Sequence, residues 1–105
     1  MASKTCKEKS VIELLKLRKL LRKEGIPFES IHSEWVGKMY PHLYYPQREN
    51  FICSIICHPY AYGYYNGLLE IMGLVEDTED SVEGYLSAEE VFERIKRHYA
   101  ESEGK

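Results

Sequence analysis

The chain has 105 residues, 44% of them hydrophobic, and a formal net charge of -3 from 14 lysines and arginines against 17 aspartates and glutamates. That length fits one domain over residues 1–105 and excludes a second, and the hydrophobic share suffices to bury a core. The mild acidity argues against a general hold on nucleic-acid phosphates, which needs a basic face, and no apolar run reaches the ~20 residues that cross a bilayer.

Residues 1–7 read as a flexible polar tail without the apolar stretch of a secretory signal. Three cysteines, Cys6, Cys53 and Cys57, are an odd number and suit a reducing compartment, so the cytoplasm is the expected location. Over residues 7–24, Val11, Ile12, Leu14, Leu15, Leu17, Leu20 and Leu21 recur at the three-and-four spacing of a helix. Lys16, Arg18, Lys19, Arg22 and Lys23 cover its remaining surface and suit the C-terminal end of its dipole. Ser10 is a candidate N-cap for a shorter version of this helix, and Gly25 and Pro27 stop it.

Residues 28–33 alternate loosely and read as an edge strand. Residues 35–45 are aromatic but interrupted by Gly37 and Pro41, which predicts one bent or bulged strand. After a turn at 46–50, residues 51–58 are apolar at nearly every position, as in a central strand. Residues 58–67 form a loop carrying Tyr60, Tyr62, Tyr64 and Tyr65. Residues 68–75 read as a strand pairing back on 51–58, with a short helix as the alternative, and 76–80 as an acidic turn. Ser87 and Glu90 make a capping box, with Leu86 and Val91 as its hydrophobic staple. Val91, Phe92, Ile95 and Tyr99 then form the apolar face of a helix ending near Glu101, with Glu93 and Arg97 as a favourable (i, i+4) pair, and 102–105 as a flexible tail. The expected fold is α+β, in the order α-β-β-β-β-α. A mostly antiparallel sheet of about four strands carries both helices on one face.

Several residues invite chemistry. Cys53, Cys57 and His58, with His32 nearby, test a metal site. Zinc sites favour C-x-x-C on a turn, whereas adjacent residues of a strand diverge, so no metal is expected. The same divergence separates Cys57 from His58 as a thiolate–imidazole pair. Cys53 and Cys57 would stand about 13 Å apart on a strand, too far for a disulfide, and read as core cysteines. Glu76, Asp77, Glu79, Asp80 and Glu83 lack the spacing of a calcium loop and read as a solvated turn. Glu70 would point away from Leu69 and Ile71. No catalytic set and no cofactor site is assembled.

The tyrosine loop carries the candidate binding residues: His58, Tyr60, Tyr62, Tyr64 and Tyr65, joined by Arg48. Tyrosine buries a large area at low entropy cost while keeping a polar tip. His42, Tyr44 and Tyr45 are expected to converge on the same end. The competing reading completes the core with several of these tyrosines. The basic face of the first helix reads as a solvated surface, and nucleic acid is not an expected partner.

Residues 52–58, Tyr62-Gly63, residues 68–74 and residues 82–96 resemble a group of small uncharacterised proteins encoded by phages and prophages of Gram-positive bacteria. The resemblance covers about residues 50–98; the first helix resembles the group only in kind, and the Pro-containing stretch 35–46 is an apparent insertion. It implies a phage or mobile-element setting in the host cytosol, and no reaction. The expected function is a non-enzymatic binding module, an accessory protein that modulates a host protein such as a defence component. The alternatives are a nucleotide-like small-ligand binder using loop 58–67 and, last, an enzyme with a Cys/His site. Expected partners are a host or phage protein, a second copy of the chain through an uncovered sheet face, or a small molecule.

Overall fold

Leucines at helical spacing build the first element, α1 (Cys6–Lys23), of a computed structural model that describes residues 6–35, 37–76 and 81–103. Leu14, Leu17 and Leu21 are fully buried and Val11 and Leu20 pack partly against the core, while Ile12 and Leu15 stay largely exposed. Ser10 is not a cap. It lies inside the helix, and its buried hydroxyl donates to the Leu68 carbonyl at 2.9 Å, tying α1 to the sheet. The helix closes where expected: Gly25, at φ 70, donates to the Arg22 carbonyl and Ile26 to the Leu21 carbonyl, the paired bonds of a Schellman end.

Five strands follow in a meander, all antiparallel and in chain order: β1 (Glu29–Trp35), β2 (Lys38–Tyr45), β3 (Cys53–Ile56), β4 (Leu69–Met72) and β5 (Val82–Leu86). A 3-10 turn, Tyr64–Asn66, interrupts the β3–β4 connection, and α2 (Ala88–Glu103) completes the chain. The architecture is the expected α+β sheet flanked by terminal helices, with one strand more. Alternation in β5 is obscured because Gly84 breaks it, Tyr85 adopts φ 60, and a register shift separates Leu69 from Ile71 on the partner strand.

Residues 35–45 are not one bent strand. Trp35 pairs with Lys38, and Gly37 at φ 76 lies in the reversal, so the segment contains a tight hairpin. Pro41 sits inside β2 opposite His32. Its carbonyl accepts the Cys57 thiol at 3.6 Å, beyond the last β2–β3 pair at His42 and Ile56, so its missing N–H loses no ladder bond. The tight loop after β2 begins with a cis Tyr45–Pro46 peptide. Residues 69–72 are strand rather than helix, ended by Gly73 at φ 89 and Leu74 at φ 56. The expected acidic turn falls partly on 77–80, outside the described residues, as do 1–5 and 104–105 of the expected tails. The helices take in 6–7 and 102–103 of those tails.

The capping box forms as expected, with Ser87 N–H donating to Glu90 Oε1 at 2.9 Å and Glu90 N–H to Ser87 Oγ at 3.1 Å. Leu86 and Val91 are both in the core. Arg97 reaches Glu76 at 3.1 Å, where the sequence reading pairs it with Glu93. One cluster holds Leu14, Leu17 and Leu21 of α1, Val91, Phe92 and Ile95 of α2, and Leu43, Ile55 and Ile71 of the sheet. Both helices therefore cover the same sheet face, and the opposite face carries no helix.

Candidate functional site: the aromatic end and open face of the sheet

Strand alternation puts two cross-strand rows on the face away from the helices: Ile31, His42, Ile56 and Glu70, then Glu29, Tyr44, Ser54, Met72 and Val82. His42 stacks on Tyr44 with ring centroids 4.4 Å apart, and Tyr44 leans on Phe51 at 5.2 Å. Burial, followed by the nearby His58 and Arg48, lowers the His42 pKa to about 4. Its Nε2 is buried without a hydrogen-bond partner among the described residues. Glu70 points away from Leu69 and Ile71 as alternation requires, but it is buried rather than solvated. Its Oε1 accepts the Tyr62 amide at 2.7 Å. Burial raises its pKa, and that amide partly opposes the rise.

The tip of the β1–β2 hairpin, the β3–β4 loop and the end of β5 meet at one end of the sheet. There the Trp35 indole stacks on the His58 ring, centroids 3.8 Å apart and planes 18° off parallel. Tyr60 tilts against Trp35 at 5.9 Å and 54°. The Tyr60 amide donates to His58 Nδ1 at 3.2 Å, and the Ala61 amide to the His58 carbonyl at 2.8 Å, so one residue braces the loop twice. Tyr85 N–H donates to the Tyr62 carbonyl at 3.3 Å, and Tyr62 lies so close over Gly84 that a Cβ there would collide with it. Trp35, Tyr60, Tyr62, Tyr65 and Tyr85 are 37%, 69%, 62%, 60% and 58% exposed.

The predicted set thus divides. His58, Tyr60 and Tyr62 are placed at this end, and Tyr65 stands exposed in the 3-10 turn of the same loop. Tyr64 does not join the surface: it is fully buried, edge-on to Tyr40 at 6.0 Å, in a second small core with Tyr40 and Ala61. The 3-10 turn between Gly63 and Gly67 turns it inward, and burial raises its pKa. Arg48 lies at the other end of the sheet, in the β2–β3 loop, where its amide donates to Glu29 Oε1 at 2.8 Å. Tyr45 faces the helices, and its hydroxyl sits 2.8 Å from His98 Nδ1. Trp35 and Tyr85 were missed. The glycine two residues after Trp35 marks a hairpin tip, whereas Tyr85 is placed only by the pairing of β5 with β4.

Cys53 and Cys57 are buried on the helix-covered face, and burial pushes both thiols up to about 12. His58 follows Cys57 on the opposite face, so thiol and imidazole do not share a pocket. His32 is exposed on β1. Among the described residues no three His, Cys, Asp or Glu side chains cluster to hold a metal, and no helix is long and apolar enough to cross a membrane. In comparisons with known proteins, the chain matches no family model, no curated protein and no solved structure.

Proposed function

We propose that the chain is a non-enzymatic binding module that docks a protein through the aromatic end of its sheet. The observation that carries this reading is the group Trp35, Tyr60, Tyr62, Tyr65 and Tyr85, all large and all exposed, at one end of the sheet, where the loop is hydrogen-bonded within itself and to β5 and Trp35 stacks on its His58. Aromatic side chains offer wide amphipathic contact for two rotatable torsions each, and a braced backbone lowers the ordering cost of association. Exposed aromatic clusters of this kind mark interaction surfaces.

The separation of Cys57 from His58 supports a binding role over a Cys/His enzyme. The separation of Arg48 from the loop removes the cation expected beside a stacked nucleobase and favours a protein over a nucleotide. The resemblance over residues 50–98 supports the setting: an accessory protein of a phage or mobile element that modulates a host protein, such as a defence component.

The test is retention from a bacterial host lysate at physiological salt, with the full chain and its Tyr60→Ala/Tyr62→Ala variant as baits. The expected result is a stoichiometric protein held by the natural sequence and released by the variant, with matching thermal stability of the two baits. No retained protein, or equal retention by both, rejects the reading. Light scattering of the free chain separates self-association from a foreign partner.

A further inference from the structure

His58 carries two jobs on different atoms. Its ring face supports Trp35, and its Nδ1 accepts the Tyr60 amide. The second job has a chemical condition. An imidazole nitrogen accepts a hydrogen bond only while it bears no proton, so the neutral ring here carries its hydrogen on Nε2.

We propose that His58 is a proton-operated latch on the loop that presents Tyr60. A proton taken from solvent by Nδ1 uses the lone pair that held the amide and leaves two N–H donors facing each other, so the bond opens. The amide of Tyr60 is then released from the ring while the second brace, Ala61 N–H to the His58 carbonyl, stays. Cation–π attraction keeps the imidazolium against the Trp35 indole, so release is confined to the Tyr60 arm of the aromatic end. Tyr60 is the most exposed of these aromatics, at 69%, and hence the one with least packing to hold it once the bond is gone.

The surroundings set the sense of the switch. Strand pairing puts His42 of β2 and Glu70 of β4 on either side of Ile56, two residues before His58, and Lys38 opposite Trp35 at the hairpin tip, while Tyr60 belongs to the loop of His58 itself. Of these, His42 is the one whose titration feels His58. The Glu70 carboxylate is engaged by the Tyr62 amide. Burial lowers the His58 pKa, and its own carbonyl opposes this to a lesser degree. The latch is therefore closed at neutral pH and opens on acidification below the ordinary histidine range of about 6.5. It operates whether or not the aromatic end docks a protein.

Trp35 is the only tryptophan, so its emission reports this one stack. The experiment is a titration of the full chain from pH 7.5 to 4.5 at fixed ionic strength, following Trp35 emission and, by NMR, the Tyr60 amide shift and exchange rate. The expected result is quenching of Trp35 and release of Tyr60 with one common midpoint below 6.5. The rise in Tyr60 exchange, after correction for intrinsic pH dependence, should reach about tenfold, the effect of one lost hydrogen bond. In His58→Asn the side-chain oxygen can still accept the amide two residues on, but it does not titrate. That variant should keep Tyr60 protected throughout and lose both transitions. His42→Phe should keep both. A Tyr60 amide unmoved while Trp35 quenches, or transitions that survive in His58→Asn, overturns the latch.

Discussion

The Glu13 carboxylate of α1 caps the other helix: its Oε2 accepts the Ala88 amide, the first of α2, at 2.6 Å. Residues 75 positions apart thereby complete an N-terminus that the local capping box leaves with free donors. Glu13→Ala should cost about 1–2 kcal/mol, in line with loss of a cap and of a negative charge at the dipole, and lower Tm by several degrees. Glu13→Gln keeps an acceptor and should cost about half as much. Thermal unfolding of the two variants checks the order.

Arg94 joins α2 to the last strand. Its guanidinium forms a two-pronged pair with Glu83 at 2.8 and 2.9 Å and also donates to the Leu74 carbonyl at 3.2 Å. The pair is half-buried, so Arg94→Ala should fall between exposed and buried cases, at about 2 kcal/mol by urea unfolding. Arg94→Lys keeps the charge but not the fork, and should recover only part of the loss.

Two tyrosines four residues apart should behave oppositely. Tyr64 is fully buried against Tyr40, so Tyr64→Ala should cost about 3–5 kcal/mol. Tyr60 is mostly exposed, so Tyr60→Ala should stay within about 0.5 kcal/mol while weakening partner capture. Urea midpoints on both variants decide whether the loop divides as described.

His42 should make stability fall with acid. Its folded-state pKa is lowered from 6.5 to about 4, so between those values the unfolded chain binds the proton that the fold refuses. Stability is therefore full above about 6.5 and declines as pH falls toward 4. Glu70, raised from its ordinary value, acts in the opposite sense, since the fold binds its proton first. Glu83, held down chiefly by its hydrogen bond to Arg94, adds a decline only below about 4.5. His58, its pKa also lowered by burial, adds a decline of the same sign, so His42→Phe should reduce the slope between pH 6.5 and 4.5 without abolishing it. Equal slopes for the two proteins in urea unfolding across that window would show that His42 does not refuse the proton.

The legible parts of this chain are those whose signals are local. Leucine spacing in α1, the Gly25 stop, and the Ser87–Glu90 box are each complete within a few residues, and each forms as read. The middle strand was legible from its apolar run, although only Cys53–Ile56 of the expected 51–58 is strand: Phe51 and Ile52 precede it exposed, and Ser54 is a buried polar residue within it. Alternation also placed Glu70 away from Leu69 and Ile71.

What the sequence alone determined is the class of fold, the two terminal helices and the presence of an aromatic loop between strands. Tertiary structure decided which aromatics face outward. Tyr60, Tyr62, Tyr64 and Tyr65 are the same residue in one loop, and only packing against Tyr40 separates the buried one from the rest. Trp35 and Tyr85 reach the site because a hairpin tip and an edge strand end beside that loop, and Arg48 leaves it because the β2–β3 turn lies at the other end of the same strands. Strand pairing brings distant residues together through hydrogen bonds that any side chain permits, so its outcome is not written in side-chain identity alone.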